Sequence, residues 1–286
     1  MTTYLVTGAS GQLGRLTVRA LLSQGVAASD VVATARNTAA ISDLAALGVV
    51  TRAADYTDPA SLKEAFAGVD RALLISSSAV GERVAQHANV IDAARDAGVE
   101  LLGYTSVTRA DTSQMILAGE HRATEELLAA SGLPVVLLRN SWYLENYTAQ
   151  ATTALEHGVV LGAAGEGRVS AATRADYAAA AAAALVADDR AGRVHELGGD
   201  VAFTLEEYAA TLAAESGRPV AYRDLPAAEL SAAPVGAGLP GPYADIPADS
   251  DPGPGRGELL ADSRDLSRLI GRPTTTPVEA IRAALA

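Results

Sequence analysis

The sequence predicts an α/β fold, a doubly wound parallel sheet followed by a smaller C-terminal α/β subdomain. Three observations carry that expectation. Short β-branched runs alternate with longer helical patterns through the first half, a glycine-rich turn follows the first run directly, and the alternation fades after residue 140. The 286 residues amount to about two domains of ~150 residues. The boundary is placed between 1–140 and 141–286, the second part partly interleaved with the first.

The strands fall at residues 4–7, 31–35, 49–53, 72–76, 101–105 and 135–138. Six strands joined by five helical crossovers require a parallel sheet, because a tight hairpin cannot connect parallel neighbours. The first crossover shows the helical period, with Leu13, Leu16, Thr17, Ala20 and Leu21 on one face and Arg15 and Arg19 off it. Asp58 reads as an N-cap with Pro59 at the first helical position. Beyond residue 140 the pattern gives a helix over 142–156, an alanine-rich helix over 174–187, a strand at 194–197, a helix over 203–216 and a strand at 220–222. Residues 232–257, dense in proline and glycine, read as a long surface loop or lid, and 277–285 as a closing helix.

Composition removes several function classes. The formal charge is −12, and no local basic patch offsets it, which disfavours binding to nucleic acid. There is no cysteine, hence no disulfide, thiolate zinc site, iron–sulfur cluster or cysteine nucleophile. The four histidines lack ligand spacing, so no metal is expected. The first residues carry neither a basic nor an apolar leader segment, and the longest apolar run, residues 177–187, is too short to span a bilayer. A cytoplasmic protein acting on a small molecule is the expectation; a homo-oligomer is left open.

The strongest local signal is Gly8-Ala9-Ser10-Gly11-Gln12-Leu13-Gly14, between the first strand and the first helix. Glycines there permit a tight turn, close backbone approach to a pyrophosphate and close helix–strand packing, while helix N–H groups face the anion. The implied ligand is a dinucleotide, held by Gly8, Ser10, Gly11, Gln12, Leu13 and Gly14. NAD-binding folds commonly place a carboxylate at the end of the second strand, but here the stretch reads Ala35-Arg36-Asn37. Arg36 is either a partner for a 2′-phosphate, pointing to NADP(H), or a solvated surface arginine. Ligands of such sheets sit beyond the carboxyl ends of the strands, which selects Ser76, Ser77 and Ser78 after the fourth strand, Thr105 and Ser106 after the fifth, and Asn140 to Tyr143 after the sixth. Serine and threonine at these places are equally at home as turn formers.

The glycine spacing and the strand pattern resemble the short-chain dehydrogenase/reductase superfamily. Further blocks resemble its NmrA-like branch, and more closely the bacterial NAD(P)H:quinone oxidoreductases of type 2: Leu73-Leu74-Ile75-Ser76-Ser77-Ser78, Tyr104-Thr105-Ser106, Leu138-Arg139-Asn140-Ser141-Trp142-Tyr143-Leu144-Glu145-Asn146-Tyr147, Ala172-Thr173-Arg174-Ala175-Asp176-Tyr177 and the run Leu269-Ile270-Gly271-Arg272-Pro273. The resemblance implies NADPH-dependent reduction of quinones without flavin. It also implies that Asp55 lies near the adenine, that Arg174 stands on the cofactor side, and that Trp142, Tyr143 and Asn146 border the substrate.

One departure matters. Many members of the superfamily protonate substrate with a Tyr-x-x-x-Lys pair, but the chain has one lysine, Lys63, and Pro59 stands four residues before it. The positions that would carry the pair hold Leu117 and His121. Ser106 and His121 are the candidates for a proton source, should one exist. Quinone reduction is compatible with their absence, because its product is a weakly basic phenolate rather than an alkoxide. Carbonyl or enone reduction, and non-catalytic sensing of NADP(H), are the alternatives.

Overall fold

The computed structural model describes residues 1–232 and 252–286. The strands are β1 (Tyr4–Val6), β2 (Val31–Ala35), β3 (Val50–Ala53), β4 (Arg71–Leu74), β5 (Leu101–Val107), β6 (Val135–Asn140), β7 (Val159–Gly162), β8 (Val194–Leu197) and β9 (Ala221–Asp224). The helices of the first half are α1 (Gln12–Ser23), α2 (Ser42–Ala45), α3 (Pro59–Phe66), α4 (Arg83–Asp96) and α5 (Ile116–Ala130). Those of the second half are α6 (Leu144–Thr148), α7 (Ala151–His157), α8 (Arg174–Val186), α9 (Leu205–Ser216), α10 (Ala227–Ala232), α11 (Pro252–Gly255), α12 (Asp265–Ile270) and α13 (Pro277–Leu285).

Two compact units are built from interleaved segments. The first comprises Met1–Val107, Glu120–Arg139 and Arg174–His195; the second comprises Thr108–Gly119, Asn140–Thr173 and Glu196–Ala286. The main sheet has the order β3-β2-β1-β4-β5-β6-β8. β1 to β5 pair in parallel. The bonds Leu102 N→Pro134 O and Thr108 N→Asn140 O, then Gly192 N→Val135 O and Ser141 N→Leu197 O, advance in the same direction, so β6 and β8 continue the parallel sheet.

The six-strand expectation is therefore corrected to seven. β8 is short, its residues range from exposed Val194 to buried Leu197, and only its pairing with β6 shows where it belongs. The expected helix over 142–156 is also corrected. Residues 142–143 are extended, Tyr143 bridges Ala172, and the helical part breaks between α6 and α7 at Ala149 and Gln150. β7, which pairs with β9 in a two-stranded parallel sheet, was not expected. Of the proposed loop over 232–257, residues 233–251 lie outside the described residues, and Pro252–Gly255 forms a short helix.

In the first unit, α3, α4 and α5 bury Leu62, Phe66, Val90, Ile91 and Leu128 against Leu5, Leu74, Leu102 and Tyr104 of the sheet. Asp58 caps α3 as expected, accepting the Ala60 N–H at 3.0 Å with Pro59 at the first turn. α8 packs along α1, and its alanines let the helices approach closely. Arg71 of β4 closes the end of α8, donating to the carbonyls of Leu185, Val186 and Ala187 at 2.8–3.1 Å. Those carbonyls have no partner inside the helix, so a cation there satisfies both the bonds and the dipole.

In the second unit, Tyr147, Phe203 and Tyr208 form an aromatic cluster with ring centroids 5.6–6.2 Å apart. Capping boxes start α9 (Thr204 with Glu207) and α13 (Thr276 with Glu279).

Candidate active site

The glycine loop is built as its spacing suggested. Gly8 has φ +60°, the left-handed region that a side chain disfavours. A Cβ on Gly14 would lie 2.5 Å from the Gly8 carbonyl oxygen and 2.9 Å from Ala9 Cα, so only glycine lets α1 start this close to β1. α1 has neither a side-chain cap nor an acidic residue in its first turn, and Ser10, Gly11 and Gln12 are exposed in front of it. Leu13 is buried beneath the loop. Open N–H groups, a positive dipole end and a backbone cradle with no room for side chains fit a pyrophosphate.

A second layer fixes this loop from below. Thr7 Oγ1 donates to the Leu73 carbonyl (3.0 Å) and accepts the Ile75 N–H (2.9 Å). The Tyr56 hydroxyl lies 2.5 Å from Thr7 Oγ1 and 2.8 Å from the Ile75 carbonyl. Burial raises the pKa of Tyr56, so its hydroxyl serves as a fixed strut. Sequence reasoning missed Thr7 and Tyr56, although Thr7 directly precedes the first glycine.

Arg36 follows β2 directly and is exposed. Arg15 and Arg19 of α1 are both paired with Asp43. Asp55 accepts the Thr57 amide and hydroxyl, each at 2.8 Å, and these bonds, with a lesser contribution from the Arg36 charge, hold its carboxyl below the usual range.

At the ends of β4 and β5 the polar side chains are tied to one another. The Ser76 amide donates to Thr105 Oγ1 at 2.9 Å. Ser77 Oγ donates to Gln86 Oε1 (2.5 Å) and its amide donates to His87 Nε2 (2.9 Å), while Ser78 is exposed. β5 runs two residues past the expected end, which places Ser106 within the strand. Its hydroxyl donates to Glu125 Oε1 at 2.6 Å, and Arg139 holds the same carboxylate through Nε (3.0 Å) and Nη2 (2.6 Å). His121 is buried with Nδ1 2.7 Å from the Tyr104 hydroxyl; burial, then the charge of Arg83, push its pKa well below the usual value. It is a neutral imidazole at physiological pH. Arg174 opens α8 and is half-buried.

The remaining candidates belong to the second unit. Asn140 ends β6 with its side chain buried and its Oδ1 lacking a hydrogen-bond partner, while its carbonyl accepts the Thr108 N–H at 2.9 Å. Trp142 and Tyr143 are half-buried on an extended segment, held by Ala172 N→Trp142 O (3.0 Å) and Leu144 N→Ala172 O (2.9 Å). Asn146, also half-buried, donates its backbone N–H to the Tyr143 carbonyl at 3.0 Å. Among the described residues no group of acidic or histidine side chains could hold a metal, and no helix is long and apolar enough to cross a membrane.

Comparison with known proteins agrees with this geometry. Residues 8–188 match a family described as NAD(P)H-binding. Quinone oxidoreductase 2 of Escherichia coli (strain K12) is 52% identical over 276 residues, 96% of each chain, and an NAD(P)H azoreductase of Xenophilus azovorans is 29% identical over 98% of this chain and 96% of its own. The crystal structure of the NADPH-dependent quinone oxidoreductase QOR2 of Escherichia coli complexed with NADPH superposes with a TM-score of 0.96 at 50% identity, covering 99% of this chain and 100% of that one. A triphenylmethane reductase of Citrobacter sp. complexed with NADP(H) superposes with a TM-score of 0.93 at 36% identity, covering 99% and 100%.

Proposed function

The chain belongs to the NAD(P)H-binding family, in the NmrA-like branch of the short-chain dehydrogenase/reductase superfamily, and on that premise we propose that it reduces quinones with NADPH. The observation that carries the reading is the glycine loop that opens α1, with no room for a Cβ at Gly14 and neither a side-chain cap nor an acidic residue in the helix's first turn. The glycine loop would hold the pyrophosphate at the start of α1, Arg36 the 2′-phosphate, and Ser76, Ser77, Ser78 and Thr105 would border the nicotinamide; Asp55 and Arg174 are proposed on the cofactor side, and Asn140 as a further cofactor contact. When bound, NADPH supplies the hydride.

The two proton-source candidates and a neighbouring serine offer no ready acid: Ser77 and Ser106 give their protons to Gln86 and Glu125, and His121 is neutral and buried, while Lys63 lies on α3 with Pro59 four residues before it. A ketone would need an acid, because hydride addition leaves a strongly basic alkoxide. A quinone needs none: the hydride supplies two electrons and one hydrogen, the second oxygen becomes a phenolate, and water protonates it. The work left to the protein is to hold two flat rings face to face, which is a matter of proximity. Trp142, Tyr143 and Asn146 are the proposed acceptor contacts. The same reading makes the protein a cytoplasmic enzyme that acts on a small molecule and does not bind nucleic acid, in keeping with its net charge of −12.

The test is loss of reduced-nicotinamide absorbance with a panel of quinones, aldehydes and ketones. Turnover with quinones and none with simple ketones is expected. Turnover with ketones alone would overturn the proposal, and tight NADPH binding with no turnover would point to a sensor.

A further inference from the structure

Two histidines of the first unit, His87 and His121, are buried, and the chemistry proposed above uses neither. His87 makes two directional bonds that fix its protonation. The Ser77 amide donates to Nε2 at 2.9 Å, so that nitrogen carries no proton. The ring proton therefore sits on Nδ1, 2.9 Å from Thr124 Oγ1, and Thr124 passes its own proton to the Glu120 carbonyl at 2.9 Å. The bonds run one way, from the Ser77 amide through the imidazole and a hydroxyl to α5.

Glu120 closes the circuit from the other side. Its Oε1 accepts the Gly81 N–H at 2.8 Å and its Oε2 lies 3.1 Å from Arg83 Nη1, while Arg83 Nε donates to the Ser77 carbonyl at 2.6 Å. Both ends of the segment from Ser77 to Gly81 are thus anchored to one residue of α5. The segment has no regular structure of its own, yet it continues directly from β4, where a dinucleotide's nicotinamide half is expected.

We infer that His87 is a positioning residue for cofactor binding: as a neutral acceptor for the Ser77 amide it holds the segment after β4 in the shape that receives NADPH. A loop so placed could close its amide on water, at the cost of wandering among many shapes that the cofactor must then select against. The imidazole removes that freedom beforehand, so its contribution appears in cofactor affinity rather than in the chemical step. The inference rests on the proposed function in one respect, that Ser76, Ser77 and Ser78 border the cofactor.

The experiment compares His87→Phe, which keeps a flat ring but offers no acceptor, with His87→Gln, which restores an acceptor in place of Nε2. For His87→Phe the KM for NADPH is expected to rise roughly tenfold, as the Ser77 amide loses its buried acceptor, with kcat and the quinone KM within about twofold of the parent. His87→Gln should recover most of the NADPH KM. A purely structural role predicts instead that the melting temperature and every kinetic constant deteriorate together and that His87→Gln gives no selective rescue; that result, or an unchanged NADPH KM, overturns the inference. Should His87→Phe fail to fold, amide exchange in the parent decides. The Ser77 amide should exchange as slowly as the strands without cofactor, and fast exchange there refutes the relay. If the parent itself neither binds NADPH nor reduces quinones, the proposed function fails instead, and the two failures are distinct.

Discussion

The two units reach their stability by different routes. In the first, a regular βα alternation supplies most of the structure, and its cofactor loop rests on a left-handed glycine at residue 8 and a glycine at residue 14 too crowded for a Cβ. The second, built like the first from three segments, has less regular structure to join them and is tied by side chains over long sequence distances. Ser141 Oγ donates to the Leu259 carbonyl, 118 residues away, and Glu258 accepts the Gln114 N–H, 144 residues away. Asp200 takes the Thr274 N–H on one carboxylate oxygen and the Ser267 hydroxyl on the other. The difference teaches that a periodic scaffold can carry a cofactor site by geometry common to many chains, whereas an irregular one must specify its surface contact by contact.

The largest effect on the first unit is expected at Gly14. Any Cβ there meets the backbone of Gly8 and Ala9, neither of which can give way as a flexible side chain would. Gly14→Val should lower NADPH affinity by roughly 100-fold or more and lower the melting temperature as well. Titration calorimetry and a thermal melt check both.

Acid should separate the units next. Burial, then the charge of Arg83, lower the His87 pKa to about 3, and burial likewise lowers that of His121. An unfolded chain takes up these protons near pH 6.5, so it binds more protons than the native state in the window below that value. Stability contributed by the neutral histidines is full above about pH 6.5 and declines on acidification, for His87 down to about pH 3. Carboxylates of the second unit with lowered pKa, Glu207, Glu258 and Glu279, titrate only below about pH 4.5. Hydrogen exchange at pH 5 should therefore show the first unit loosening before the second; simultaneous loosening would erase the distinction.

A smaller effect is expected from Arg36→Ala. Loss of a charge-assisted contact worth roughly 1.5–3 kcal/mol should weaken NADPH binding about 10- to 100-fold while NADH binding stays nearly constant. Equal losses for both cofactors would make Arg36 a solvated arginine.

The smallest effect is expected in the second unit. Tyr143 is half-buried, and its backbone, not its ring, makes the bridge to Ala172. Tyr143→Ala should raise the quinone KM several-fold, in line with about 0.5–1.5 kcal/mol for an aromatic contact, with little change in melting temperature. A steep fall in melting temperature at constant KM would assign the ring to the core.

These contrasts follow what could be read in the sequence. The first six strands of the main sheet, the glycine loop, the Asp58 cap and the place of Arg36 were legible because each depends on residues within one turn or one strand, whereas β7 was not. β8 was legible as a strand but not as the seventh member of the main sheet, since only pairing with β6 decides that. The alanine-rich helix was visible, but nothing in it announced that it would pack on α1. Ser106 read as a strand-end hydroxyl until β5 proved two residues longer and turned it toward Glu125. His87 carried no local signal at all: its partners Ser77 and Thr124 lie 10 and 37 residues away, and buried polar circuits leave no period in a sequence.

If hydride reaches the acceptor without an acid from the protein, the pH dependence of kcat for quinone reduction will show it, in the parent and in His121→Ala. With no essential acid, kcat should vary by less than about threefold between roughly pH 6 and 9, and His121→Ala should stay within about an order of magnitude of the parent. A falling limb near neutrality in the parent that disappears in His121→Ala, with a loss beyond roughly a thousandfold and the fold intact by circular dichroism, would contradict the account and establish His121 as the proton donor.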